Sequence, residues 1–205
     1  MIFIKIILFI LFCYLLGSIP FAYLAGKILK GIDIREHGSK NIGATNVSRV
    51  LGKGYGISVF FLDFCKGLLP VLLAGYFFKN HGNLLVIKIL SGLSAVCGHM
   101  WTVFLDFKGG KGVATSSGVM IGLIPKSMVI VFIIWICIVS VFHYISLGSI
   151  VASTLLPVCV FFIEKDKMLF IFTLIMSIII IYKHKANIKR LLSGTENKIG
   201  ERIKI

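Results

Sequence analysis

From Ser127 to Ile163 the chain carries no Asp, Glu, Lys or Arg. A helix crosses the ~30 Å hydrocarbon core of a bilayer with about 20 apolar residues at ~1.5 Å each, so this run is nearly two crossings long. It reads as a pair of membrane helices with a break at HYISLGS, His143 to Ser149. The same measure applied elsewhere marks further spans at about Ile4 to Ala25, Tyr55 to Phe78, Leu84 to Leu105 and Met168 to Tyr182. Pro20 breaks the last turns of the first span near Gly17 and Ser18. A shorter one, Gly112 to Ile124, covers about two thirds of the core, which suggests that its start is buried in protein. The expectation is an all-α polytopic integral membrane protein with seven transmembrane helices. It forms one domain over residues 1–205, since no internal repeat, Pro-rich linker or low-complexity tail interrupts it. Lys5 ahead of the first apolar run resembles a signal peptide, but no A-x-A site follows, and the run is taken as an uncleaved span.

Charge orients this framework. Lys and Arg number 22 against 8 Asp and Glu, a net +14 that suits nucleic acid, anionic headgroups or a phosphorylated substrate. With 58% hydrophobic residues, nucleic acid is disfavoured and no nucleic-acid partner is expected. Placing the N-terminus outside and the C-terminus in the cytoplasm puts residues 27–53, 106–112, 143–149 and 183–205 inside. These segments hold 15 of the Lys and Arg residues, against 6 outside, as the positive-inside rule requires. Alternation then collects the polar segments on one face, where they can converge. The five cysteines lie in apolar runs without CxxC or Cys/His spacing, so neither a disulfide framework, a metal site nor a cofactor is expected.

Three of these segments have residue types suited to chemistry. GSKNIGATNVSRVLGK, Gly38 to Lys53, combines glycines that permit close backbone approach with Ser39, Thr45 and Asn46 as neutral hydrogen-bonding groups and Lys40, Arg49 and Lys53 as cations. It fits an anion seat, and equally a solvated connection between membrane helices. DFKGGKGVAT, Asp106 to Thr115, places Gly109, Gly110 and Lys111 just before a helix, where backbone amides and the helix dipole favour an anion. A tight loop with interfacial lysines accounts for the same residues, and no Walker A sequence occurs. In the tail, His184 and Asn187 are three apart and share a face if the helix continues past the membrane surface, as either a proton-transfer and phosphate-donating pair or part of an interfacial helix. Asp63 and Lys66 lie inside a span, where each charge costs about 2.5–3.5 kcal/mol, and their i, i+3 spacing points to a mutual ion pair. His99 reads as a satisfied core histidine.

Taken in order, GSIPFAYL, GSKNIGATNVSRVLG, LDFCKG, GHMWTVFLDFKGGKGVATSSGV, SLGSI and KHKANIKRLLSGTENKIG span nearly the whole chain. Together they resemble the bacterial acyl-phosphate:glycerol-3-phosphate acyltransferases, the PlsY family. The resemblance implies transfer of a fatty acyl group from acyl phosphate to the sn-1 hydroxyl of glycerol 3-phosphate. The products are lysophosphatidic acid and phosphate, in the first step of phospholipid biosynthesis in the bacterial inner membrane. The implied partners are the two substrates, membrane lipids and an upstream enzyme that forms the acyl phosphate. It implies catalytic roles for Ser39, Arg49, His184 and Asn187, and substrate binding by Thr45, Asn46, Gly109, Gly110, Lys111 and Ser149. Lys183 stands where the family often has Arg and is left out of this set, because a planar bidentate contact does not survive that change. The competing class is a membrane transporter of a phosphorylated solute, which calls for polar residues throughout the membrane depth. A lipid-binding scaffold accounts for the basic tail but not for the glycine loops.

Overall fold

A computed structural model describes residues 1–202, and every regular element among them is helical. The chain divides into two compact units, one of Met1–Leu123 with Arg202 from the tail, the other of Ile124–Glu201.

The first unit begins with α1 (Ile2–Ser18), which ends at Ile19 because Pro20 has no N–H to continue it. The chain resumes as α2 (Phe21–Lys30), closed by Gly31 in the left-handed conformation. A loop leads to the short α3 (Ala44–Val50), then α4 (Lys53–Phe77), α5 (Leu84–Met100), a 3₁₀ turn (Val103–Leu105) and α6 (Val113–Leu123). Helices pack here through small residues. A Cβ on Gly67 would strike the Thr115 carbonyl and one on Gly118 the Phe64 carbonyl, so α4 and α6 touch backbone to backbone. Gly17 and Gly98 do the same between α1 and α5. Beneath the first polar loop, Ala22, Ile34, Ile42, Val47, Val59 and Leu105 form a buried cluster that seats the loop on α2 and α4.

The second unit holds α7 (Pro125–Phe142), α8 (Ile145–Ile163), α9 (Lys167–Lys183) and α10 (Lys185–Leu192). Pro125 opens α7, and Asp166 caps α9 by accepting from the amides of Met168 and Leu169 at 2.8 and 2.9 Å. Large apolar side chains such as Phe132, Ile133, Val141, Phe161 and Ile178 face outward, as expected of lipid-facing helices.

Among the described residues, five helical segments are long and apolar enough to cross a membrane, with α1 and α2 taken together as one. A sixth is the pair α9 and α10, bent by 58°, and α6 is a shorter apolar helix. The protein is a multi-pass membrane protein. The break expected over residues 143–149 is confined to His143 and Tyr144, because His143 adopts a left-handed conformation and α8 starts at Ile145. Ser149 therefore sits in a helix and not in a loop.

Candidate active site

The first polar segment is organised by Asn46, which is buried on α3. Its Oδ1 accepts from the Ser39 amide at 2.8 Å, and its Nδ2 donates to the carbonyls of Ile34 and His37, both at 3.1 Å. A side chain placed by sequence in the substrate set thus holds the loop in shape. Gly38 has φ +61° and lies so close to the Asn46 amide that a Cβ would collide with it, which explains the glycine twice over. Thr45 is half-buried and Arg49 is buried; four apart on α3, they share a face. Ser39 is half-buried at the loop edge.

The second segment turns back on the helix before it. Asp106 and Phe107 both take positive φ, and the returning chain pairs with the end of α5: the Gly109 amide donates to the Met100 carbonyl and the Gly110 amide to the His99 carbonyl, both at 3.1 Å. The sequence suggested free amides presented to an anion. The structure corrects this for Gly109 and Gly110, whose N–H groups are spent on α5. Their lack of side chains serves close packing instead: a Cβ on Gly109 would meet the His99 carbonyl, and one on Gly110 would meet the His99 ring and the Ile42 carbonyl. Through Ile42 and Gly110 the two glycine loops, separated in sequence by two membrane helices, lie against each other. Lys111 follows directly and is half-buried.

Below these loops the α1–α2 break leaves carbonyls outside the regular helical ladder, where side chains reach them. Thr102 Oγ1 donates to the Ser18 carbonyl at 2.6 Å and Lys66 Nζ to the Ile19 carbonyl at 2.7 Å. Lys66 also pairs with Asp63 at 2.8 Å, as the i, i+3 spacing suggested, and stacks over the Phe21 ring at 5.4 Å. Asp63 Oδ1 lies 3.6 Å from His99 Nδ1, giving the histidine a carboxylate partner from another helix. A small cavity lined by Ser18, Asp63, Lys66, His99, Thr102 and Gly110 sits among them.

In the second unit the bend between α9 and α10 falls at His184. The helix resumes past the bend, and both His184 and Asn187 are buried. His184 Nδ1 lies 2.8 Å from the Ile180 carbonyl. A carbonyl only accepts, so Nδ1 carries a proton and in the neutral ring Nε2 is the basic nitrogen. Ser149 Oγ donates to the Ile145 carbonyl at 2.9 Å and accepts from Trp135 Nε1 at 3.4 Å.

Glu196 was not among the residues singled out by sequence. It accepts from Ser146 Oγ at 2.9 Å and Asn187 Nδ2 at 2.7 Å on one oxygen, and from Arg190 Nε at 2.7 Å on the other. Burial alone pushes its carboxyl up, but the hydrogen bonds from Asn187, Arg190 and Ser146 outweigh this and hold it below the usual carboxylate range. One signal existed in the sequence: Glu196 is the first acid after the tail cations Lys183, Lys185, Lys189 and Arg190.

Residues 7–194 match the family model for glycerol-3-phosphate acyltransferase. The chain is 46% identical over 190 residues to the glycerol-3-phosphate acyltransferase of Fusobacterium nucleatum, covering 93% of this chain and 96% of that one. It is 48% identical over 185 residues to that of Trichlorobacter lovleyi, covering 90% and 93%. The crystal structure of PlsY (YgiH), an integral membrane glycerol 3-phosphate acyltransferase, in its glycerol 3-phosphate form, superposes with a TM-score of 0.87 at 42% identity over 96% of each chain.

Proposed function

The chain belongs to the glycerol-3-phosphate acyltransferase family, and from that premise we propose that it transfers a fatty acyl group from acyl phosphate to the sn-1 hydroxyl of glycerol 3-phosphate. The observation that carries the reading is the meeting of the two glycine loops at Ile42 and Gly110, which brings the segment bearing Arg49 up to the segment bearing Lys111. Two cation-bearing loops beside apolar helices suit a reaction whose substrates are both phosphates and one of which carries an acyl tail.

In the proposed step the hydroxyl oxygen attacks the acyl carbon, the bond from that carbon to the phosphate oxygen breaks, and the departing phosphate takes the hydroxyl proton. In the first unit Arg49 and Lys111 neutralise the phosphates, Ser39 is kept in the catalytic set, and Thr45, Asn46, Gly109 and Gly110 shape the seat. In the second unit Ser149 carries the substrate-binding role, and His184 and Asn187 the catalytic roles, that the resemblance implies. The transfer is direct, with no acyl group on Ser39. The protein acts as one domain in the bacterial inner membrane with seven crossings, α6 included, its N-terminus outside and its C-terminus and active site cytoplasmic. The excess of basic residues in segments 27–53, 106–112 and 183–205 supports that orientation. An upstream enzyme forming acyl phosphate completes the set of partners.

The deciding experiment supplies purified protein in detergent with glycerol 3-phosphate and either acyl phosphate or acyl-CoA, without added metal, and scores lysophosphatidic acid. Product from acyl phosphate and little from acyl-CoA is expected. Robust product from acyl-CoA alone at equal concentration overturns the donor, and no product from either overturns the reading.

A further inference from the structure

We propose that Asp63, Lys66 and His99 are positioning residues that set where Lys111 stands in the glycerol 3-phosphate seat, an inference that rests on the acyl-transfer reading above. The connection runs through contacts already described. Gly110 is pinned to His99 twice, by its amide on the His99 carbonyl at 3.1 Å and by the His99 ring lying where a Gly110 side chain would be. The ring faces Asp63 Oδ1 at 3.6 Å, Asp63 is held by Lys66 at 2.8 Å, and Lys66 is anchored on the Ile19 carbonyl at 2.7 Å. Lys111 is the next residue after Gly110, one ~3.8 Å step along the chain. Three elements, α4, the end of α5 and the α1–α2 break, therefore fix the backbone that presents Lys111.

Stability is a poor explanation of these charges. Asp63 and Lys66 are each 2% exposed, and a buried ion pair is commonly replaceable by apolar residues without loss of stability. An apolar trio would also cross the membrane at less cost. What an apolar trio would not supply is a fixed orientation of the His99 ring under Gly110. An anchored imidazole gives the loop one resting place, and a misplacement of about 1 Å in a substrate-positioning group costs roughly 100-fold in rate.

The test uses the full chain in detergent with two variants: His99→Gln, and the double variant Asp63→Asn with Lys66→Gln, which removes both charges and leaves no lone buried ion. Melting temperature, kcat and the KM of each substrate are measured. Each variant is expected to melt within a few degrees of the native protein and to raise KM for glycerol 3-phosphate by about tenfold or more, while KM for acyl phosphate stays within about twofold. A network that only stabilises the fold would lower the melting temperature without moving one substrate's KM. Folded variants with an unchanged KM for glycerol 3-phosphate, an equal rise for both substrates, or failure of both variants to fold would each overturn the proposal. If the native protein shows no turnover, the acyl-transfer reading fails separately. The comparison is then read from calorimetric binding of glycerol 3-phosphate, where unchanged affinity in the variants, or no binding by the native protein, overturns the positioning role.

Discussion

Asn187 donates its side-chain amide to Glu196 Oε1 at 2.7 Å, tying the last helix of the chain to the loop that follows it. The same oxygen receives Ser146 Oγ from the first turn of α8, so one carboxylate joins three segments of the second unit. Asn187 therefore has its donor group directed by an acid nine residues downstream.

Glu196→Ala is expected to lower stability by about 1–3 kcal/mol, because it leaves buried donors on Asn187 and Ser146 without their acceptor. Activity should fall with it. Thermal unfolding in detergent, with kcat measured on the fraction that stays folded, checks both.

Glu196 also predicts an acid limb of stability. Its carboxyl titrates below the usual range in the folded protein, so its contribution is complete above the ordinary glutamate value of about 4.3 and is lost as pH falls through the lower native value. Melting temperature scanned from pH 6 downward should drop in the native protein below about pH 4. The Glu196→Gln variant should lack that share of the drop.

Asn46→Ala should release the loop between Ile34 and Ser39, since three backbone groups lose the one side chain that serves them. A loss of about 1–3 kcal/mol is expected, together with faster amide exchange at Ser39 and a deep loss of kcat. An unchanged exchange rate at Ser39 would show that the loop holds its shape by other means.

Lys111→Ala should raise KM for glycerol 3-phosphate more than it lowers kcat if the ammonium holds the phosphate in the ground state. Steady-state kinetics with each substrate varied in turn gives the answer. A collapsed kcat at constant KM would move Lys111 to the transition state.

The proton route is decided at His184. The Ile180 carbonyl holds Nδ1–H, so the imidazole's acid–base chemistry falls to Nε2, which as the neutral nitrogen accepts a proton and as the imidazolium donates one. With the phosphate as base, His184→Gln is expected to lose activity moderately and to keep the pH profile of kcat. A limb near pH 6–7 that vanishes in the variant, with a loss of several orders of magnitude, would make His184 the base. An acyl group trapped as an ester on Ser39, with phosphate released, would defeat direct transfer altogether.

Much of this protein is legible in its sequence because a bilayer constrains backbone and side chain so strongly. Apolar runs of the crossing length located α4, α5, α7, α8 and α9 to within a few residues, and Pro20 announced the break that separates α1 from α2. The ion pair of Asp63 and Lys66 was readable too, since helical spacing and the cost of an unpaired charge leave few other arrangements. What the one-dimensional chain could not show is who meets whom across elements. Free amides were expected at Gly109 and Gly110 because a glycine loop before a helix commonly offers them, yet the loop folds back and gives them to His99 and Met100. Asn46 belongs to the substrate-binding set that the resemblance implies, and its hydrogen bonds to residues seven to twelve positions earlier are partners that no local pattern names. Asp63 reaches His99 from another helix, and Glu196 reaches back fifty positions to Ser146. Composition and periodicity settle which residues must be buried or exposed; the partner of a buried polar group depends on helix packing, and that exists only once the chain has folded.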